Sequence, residues 1–220
     1  MGTLKDILNG FENQVKGITK EEELQKIFKD SLAPAFLYGG YIDVINENDV
    51  FQVFIKTVEF YFHSEKTNGI HDPIMYHRNG RDLEIVPFFP IMTLNAHNSG
   101  FDITFESQMG EYRASALIRS YEVKDKEGKY LIWNKEKHMF ERKKEYGYNK
   151  QSTYLYTLLN GFSLRESNNI YWKDDFREHS IIPEGKPRQN VFKSANEFEY
   201  KKIAGEKCTR KWSFTRKEQV

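Results

Sequence analysis

The 220-residue chain contains one cysteine, Cys208. A single thiol excludes a disulfide within the chain and a zinc site built from several cysteines. No apolar run approaches the ~20 residues that a membrane helix needs. Residues 1–18 also lack the apolar core of a signal peptide. These absences predict a soluble, cytoplasmic protein that has no membrane partner.

The chain also lacks a strong net charge, which is +1 at neutral pH. The molecule as a whole is therefore not drawn to polyanions, but residues 185–220 hold ten Lys or Arg against four Asp or Glu. Such a segment can follow phosphates, although a solvated basic face gives the same pattern. The apolar fraction of 39% suffices for one substantial core, and the aromatic fraction of 15% favours a sheet-rich protein.

Hydrophobic periodicity divides the chain into helices and strands. Two amphipathic helices are predicted before Pro34, the second with Thr19 as its N-cap, and Pro34 is expected to end it. The later segments are expected to be strands at 36–46, 50–62, 100–107, 112–123, 128–133 and 210–216, with a helix at 150–161 and irregular loops at 64–81 and 163–190.

The segment VEFYFH at residues 58–63 alternates with period two, which predicts a strand with two unlike faces. One face carries Val58, Phe60 and Phe62. The other carries Glu59, Tyr61, His63 and Glu65. Consecutive proton-active side chains on one strand face indicate either a reactive cleft or a solvated sheet edge.

Several segments, in this order, resemble motifs of the alkyladenine (3-methyladenine, methylpurine) DNA glycosylases. AFLYGGYI followed by VEFYFH is similar to the family's LLGK-L-V and VETEAY, and ASALIRSYEV is similar to ACVLLRALEP. Shorter similarities lie at 72–78, 99–102, 152–162, 182–191 and 211–214. The resemblance covers roughly residues 33–216, and its weight lies in the colinear order of weak matches.

The resemblance implies an α+β fold with a mixed, mostly antiparallel sheet that is curled around the site and flanked by helices. The chain is then one domain, 1–220, in which a helical segment at 1–33 packs on a glycosylase-like body at 34–217. A monomer that binds DNA is expected.

The resemblance also implies roles for individual residues, several of them altered. Tyr61 stands where the family has its general-base Glu, and Glu59 matches the first Glu of the same motif. The remaining positions correspond as follows: His63 to the Tyr that stacks on the base, Ser99 to the Tyr that wedges into the duplex, Glu106 to the Asn that discriminates the base, and Arg119 and His77 to the family's own Arg and His.

Base excision requires an unstacked nucleotide, a pocket of planar side chains and an activated water. Glu59, Tyr61 and His77 are the candidate catalytic residues. The candidate nucleic-acid-binding residues are His63, Tyr76, Arg78, Ser99, Phe101, Glu106 and Arg119. Because Ser99 replaces an aromatic wedge, single-stranded or small substrates are favoured over a duplex. No cofactor and no metal are expected.

Other interpretations remain open. Arg119 could form a structural ion pair with Asp102 or Glu106 across a hairpin, and Phe101, Ile103 and Phe105 have the alternation of core residues. The fold could serve a non-catalytic module that binds a nucleotide, nucleic acid or peptide. A metal-dependent hydrolase would instead draw its ligands from His63, His71, His77 and His97 with Asp72 or Asp102.

Overall fold

The computed structural model describes residues 2–45, 49–64, 69–72, 75, 88–97, 100–159, 169–178, 183–188, 192–196, 199–207 and 209–217. Within these ranges the protein is an α+β structure with a large curled antiparallel sheet and few helices. No helix among the described residues is long and apolar enough to cross a membrane.

The N-terminal helices differ from the expectation at two points. Helix α1 spans Leu4–Val15 and begins with a capping box between Thr3 and Asp6. Helix α2 spans Glu21–Ile27 with Lys20, not Thr19, at its N-cap. It continues through a π-helical turn, Phe28–Leu32, into α3, Ala33–Tyr38.

Pro34 therefore does not end the helix, because it lies at the start of α3. The π-helical turn at Phe28–Leu32 interrupts the ordinary i→i−4 bonding directly before Pro34, and there a residue without an N–H can be accommodated. The predicted strand at 36–46 is correspondingly shorter, since residues 36–38 are helical and the chain bends at Gly39 before the first strand.

Eleven strands lie among the described residues. They are β1 (Gly40–Ile45), β2 (Val50–His63), β3 (Leu94–His97), β4 (Gly100–Thr104), β5 (Arg113–Asp125), β6 (Tyr130–Asn134), β7 (Met139–Lys143), β8 (Asn169–Asp174), β9 (Phe192–Asn196), β10 (Glu199–Lys207) and β11 (Ser213–Thr215). A 3₁₀ turn, Ser152–Tyr154, leads into helix α4, Leu155–Leu159. Strand β8 falls inside the segment predicted to be an irregular loop, which corrects that prediction.

Strand β2 organises the sheet, whose order is β3-β4-β5-β2-β1-β8. One edge of β2 pairs with β5 along almost its whole length, from Phe51 to His63. The other edge pairs first with β1 and then, at residues 57–59, with β11. All described pairings are antiparallel, so the mixed character predicted for the sheet is not found among them.

The hydrophobic core fills the space between the helices and one face of β2, β4 and β5. This apolar face carries Val58, Phe60 and Phe62 from β2. Phe28 stacks on Phe60 with ring centroids 4.7 Å apart, and Phe11 meets Phe105 edge-on at 5.0 Å. The N-terminal helices thus complete the core of the sheet, while the division into one domain stays a prediction.

Candidate functional site

The opposite face of β2 is polar, and it is buried rather than solvated. Glu59 and His63 have no exposed surface, and Tyr61 is 8% exposed. Tyr61 packs in a small separate cluster with Met75 and Leu117. The interpretation of this face as a solvated sheet edge is therefore wrong, because buried polar groups of this kind need partners inside the protein.

Strand register places further polar residues beside these side chains. Residues directly opposite one another in an antiparallel pair share a face of the sheet. Glu59 lies opposite Leu117, which lies opposite Asp102 on β4. Tyr61 lies opposite Ser115, which lies opposite Thr104. The polar face, defined by Glu59, Tyr61, His63, Asp102, Arg113, Ser115 and Arg119, therefore spans three strands.

Two compensating irregularities interrupt the pairing of β2 and β5. Ile55 pairs with Tyr121, Thr57 with Ser120 and Val58 with Ile118. Lys56 is therefore an extra residue in β2, and Arg119 is an extra residue in β5. β-Bulges redirect side chains and are frequent beside functional sites. The second bulge places Arg119 against Glu59.

Glu59, Tyr61 and Arg119 form a closed triangle of hydrogen bonds. Arg119 Nε donates to Glu59 Oε2 at 2.6 Å, and the Tyr61 hydroxyl donates to the same oxygen at 3.2 Å. Arg119 Nη2 donates to the Tyr61 hydroxyl oxygen at 3.2 Å. Charge-assisted bonds of this kind fix side-chain geometry strongly.

This triangle governs the protonation of its members. Burial raises the pKa of the Tyr61 hydroxyl, and the charge of Glu59 raises it further. Burial acts to lower the pKa of Arg119, but Tyr61 and Glu59 outweigh it, and the pKa is raised. Tyr61 is consequently a neutral hydrogen-bonding group and Arg119 a permanent cation, so neither is a base at neutral pH.

An imidazole and a second carboxylate meet at the neighbouring strand pair. His97 Nε2 lies 3.1 Å from Asp102 Oδ2, and 28% of the His97 side chain is exposed. Asp102 is almost completely buried, and its Oδ1 has no hydrogen-bond partner in the described part of the chain. The charge of Asp102 also contributes to raising the pKa of Tyr61.

The predicted pairing of Arg119 with Asp102 or Glu106 is wrong, since Arg119 pairs with Glu59.

A buried ion pair supports the polar face from behind Tyr61. The Arg188 guanidinium lies 4.6 Å from the centre of the Tyr61 ring and 2.5 Å from Asp72 Oδ2. Burial acts to raise the pKa of Asp72, but Arg188 outweighs it, with Arg210 assisting, and the pKa is lowered. The Asp72 backbone N–H donates to His63 Nδ1 at 3.1 Å. His63 is thus hydrogen-bonded to the residue that pairs with Arg188.

Two predicted site residues are occupied by structural contacts. Glu106 is fully buried and accepts hydrogen bonds from Arg113 Nη1 at 2.9 Å and from the Phe89 backbone N–H at 2.7 Å. Phe101 lies in the apolar core, with its ring 4.6 Å from that of Tyr156. The structure therefore brings together Glu59, Tyr61 and Arg119, with His63 beside them, and does not bring Phe101 to this group.

Four predicted site residues, Tyr76, His77, Arg78 and Ser99, lie outside the described residues, as does Glu65. Their roles stay predictions. The described ranges contain no group of three or more His, Cys, Asp or Glu residues arranged to hold a metal ion.

As site residues, His97 and Asp102 were expected only as possible metal ligands, and Arg188 was not among the expected site residues. Asp102 alternates with the core residues Phe101 and Ile103, so the sequence indicates that it points away from the core. The strand order then shows that it shares a face with Glu59. Arg188 reaches Asp72 across 116 positions of sequence, and no local pattern announces such a contact.

Comparisons with family models, curated proteins and solved structures return no significant match to this chain.

Proposed function

We propose that the protein is a divergent DNA glycosylase-like protein that binds an unstacked nucleobase at the polar face and hydrolyses its N-glycosidic bond. The colinear motifs and the curled antiparallel sheet support this assignment, including the finer proposal of a methylpurine-glycosylase-like fold. The observation that carries it is the presence of two carboxylates in unlike surroundings, Glu59 and Asp102, on one row of the sheet.

The two carboxylates take different roles in this proposal. Glu59 is paired with Arg119 and bonded to Tyr61, so it supplies fixed negative charge rather than a proton acceptor. Such a charge stabilises the oxocarbenium-like sugar that develops as a glycosidic bond breaks. Asp102 instead contacts an imidazole that reaches solvent. His97, oriented by Asp102, is the general base for the attacking water.

The reaction then balances as a hydrolysis. A water oxygen bonds to C1′ of the sugar while the bond from C1′ to the base nitrogen breaks, and its electron pair leaves with the base. His97 takes one water proton, and the departing base receives a proton from solvent or from a neighbouring donor. Strand spacing puts the Cα atoms of Glu59 and Asp102 roughly 10 Å apart, with Leu117 of β5 between them in the sheet.

Release of a free base tests the proposal. Oligonucleotides that carry one alkylated or deaminated purine, in single-stranded and duplex form, are incubated with the protein, and the freed base is quantified by mass spectrometry. We expect release by the wild type, preferentially from the single strand. We expect a loss of at least about 100-fold in Asp102→Asn and His97→Gln.

Glu59→Gln is expected to lose release as well, but its burial makes folding a concern, so the Asp102 and His97 variants carry the test. His138→Asn, in the turn between β6 and β7, is the matched control and keeps full activity. Absence of release from every oligonucleotide, or wild-type release by Asp102→Asn, contradicts the enzymatic proposal.

A second candidate function is binding without turnover. It is favoured by the double occupation of Glu59 Oε2, which already accepts bonds from Tyr61 and Arg119. In this case oligonucleotides bind with an affinity that falls steeply with salt, Arg119→Gln weakens binding, and no base is released.

A further inference from the structure

A groove separate from the polar face lies beside the β6–β7 hairpin. Its volume is about 460 Å³, and it is lined by Ile132, Lys143, Glu145, Tyr146, Gly147, Tyr148 and Lys150. Two tyrosines, Tyr146 and Tyr148, present 44% and 37% of their surface to solvent there. Exposed aromatic rings in a concave site are the groups on which planar ligands stack.

The groove is built on a rigid support. Asn149 is buried, and its backbone exchanges two hydrogen bonds with Tyr121 on β5, at 2.7 and 3.0 Å. Its side chain accepts from the Trp133 N–H at 2.8 Å and donates to the Leu131 carbonyl at 3.0 Å. Both neighbours of Asn149 along the chain line the groove, so the backbone that carries Tyr148 is held against β5 before any ligand arrives. Preorganised aromatic groups bind at a small entropic cost.

The backbone at Gly147 lies close to Ile132 of β6 at the base of the groove. A Cβ added to Gly147 would lie 2.6 Å from Ile132 Cδ1, so a larger residue at this position would force the Ile132 side chain to move. Glycine therefore allows both flanking rings to stay close to the sheet.

The charge around these rings is positive. Residues 142–150 hold four basic residues against one acidic residue, Glu145. Lys56 Nζ, from the first bulge of β2, lies 4.9 Å from the centre of the Tyr146 ring and 4.6 Å from that of Tyr148. Lys150 Nζ lies 5.9 Å from the Tyr148 ring. Lys143 is half-exposed, and its ion pair with Glu141 is long at 3.8 Å.

We propose that this groove binds single-stranded nucleic acid, with a base stacked on Tyr148 and the flanking phosphates contacted by Lys143 and Lys150. Aromatic rings with interleaved lysines are the combination by which proteins hold single strands without sequence preference. The groove admits one or two unpaired bases and no duplex. This site goes beyond the proposed function, since it shares no side chain with the polar face.

The test measures binding of a fluorescein-labelled oligothymidine of about 10 nucleotides by anisotropy, starting near 50 mM salt. Oligothymidine contains no purine, so it is not a substrate at the polar face. We expect Tyr148→Ala to weaken binding by roughly 5- to 100-fold. Tyr148→Phe, which keeps the ring, should stay within about 2-fold of the wild type. The Tyr148 hydroxyl has no hydrogen bond to any described residue, so this replacement is mild.

Two further variants separate stacking from charge. Lys143→Gln combined with Lys150→Gln should reduce the slope of log affinity against log salt by about 1.4, because each phosphate contact to a single strand contributes about 0.7. The controls are Tyr171→Ala, an exposed tyrosine on β8, and Lys5→Gln combined with Lys26→Gln on the N-terminal helices. Both controls should bind as the wild type does.

Three results would overturn the proposal. These are no binding of oligothymidine by the wild type near 50 mM salt, unchanged binding by Tyr148→Ala, and equal affinity for duplex DNA or for a heparin fragment of similar length. The proposed base release is scored separately, because the freed base is measured by mass spectrometry and the binding of oligothymidine is measured by anisotropy.

Discussion

The two faces of strand β2 are both buried, yet unlike side chains fill them. On the apolar face, Phe60 and Phe62 pack against aromatic rings from the helices and against Phe105, which follows β4. On the polar face, Glu59 and Tyr61 are held by hydrogen bonds and ion pairs from distant segments. The first arrangement tolerates any side chain of the right volume, whereas the second requires particular donors and acceptors. The apolar face therefore contributes mainly to the stability of the fold, and the polar face holds the groups that could take part in a reaction.

The largest effect is expected on the apolar face. Phe60 is fully buried and contacts the rings of Phe28, Phe36, Phe105 and Phe214. Phe60→Ala should lower the free energy of unfolding by about 4 kcal/mol, because it removes apolar contacts and leaves a cavity. Urea unfolding measures this loss, and Phe60→Leu should lose less than half as much. A loss below about 1.5 kcal/mol would show that this face is not tightly packed.

A nearly equal effect is expected from the ion pair between Arg113 and Glu106, in which both side chains are fully buried. Arg113→Met should cost about 3 kcal/mol, because it leaves the Glu106 carboxylate without its cation. Adding Glu106→Gln to Arg113→Met should recover much of that loss. If the double variant is as unstable as the single one, uncompensated charge is not the cause.

Acid should weaken the polar face selectively through Asp72. Its pKa is lowered in the folded protein by Arg188, so its stabilising contribution is present above the unfolded pKa of about 4 and is lost as the pH falls through the lower folded value. Asp72→Asn should cost about 2 kcal/mol at neutral pH. The unfolding curves of wild type and variant should then converge as the pH falls below about 4. Parallel curves over this pH range would contradict the assignment.

The smallest effect on stability is expected from Tyr61→Phe, which removes one hydroxyl from the triangle with Glu59 and Arg119. The loss should be about 1 kcal/mol, because the direct bond from Arg119 to Glu59 remains. Base release should fall much more than stability if the hydroxyl positions Glu59 for the reaction. The remote variant Tyr41→Phe is the control. If base release falls no more in Tyr61→Phe than in Tyr41→Phe, Tyr61 has no role in the reaction.

Local sequence pattern predicted the parts of this structure that depend on local contacts. The alternation at 58–63 gave the correct strand and assigned its two faces, and the pattern from Phe101 to Phe105 correctly identified core residues. Strand β8 was missed because only Trp172 of its six residues is even partly buried, so it carries no alternating signal. The helical continuation through Pro34 was missed because it depends on a π-helical turn.

The partners within the site could not be read from the sequence. Glu59 and Arg119 are 60 positions apart, and the pairing of Arg119 with Glu59 rather than with Asp102 depends on one extra residue in β5. The contact between His97 and Asp102 likewise depends on the β3–β4 hairpin, whose first strand had no clear pattern. Hairpin register and bulges are tertiary features, and they decide which charges meet.

The paired bulges at Lys56 and Arg119 have a consequence for insertions and deletions. Each bulge shifts the pairing register between β2 and β5 by one residue, and the two shifts cancel because they lie in opposite strands. Deleting Lys56 would remove the first bulge and leave the pairs on either side of it intact, so Phe60 and Tyr61 would keep their present faces. Deleting Arg119 would also preserve the neighbouring pairs, but it would remove the cation that contacts Glu59, so the extra residue in β5 carries a charge that the polar face uses.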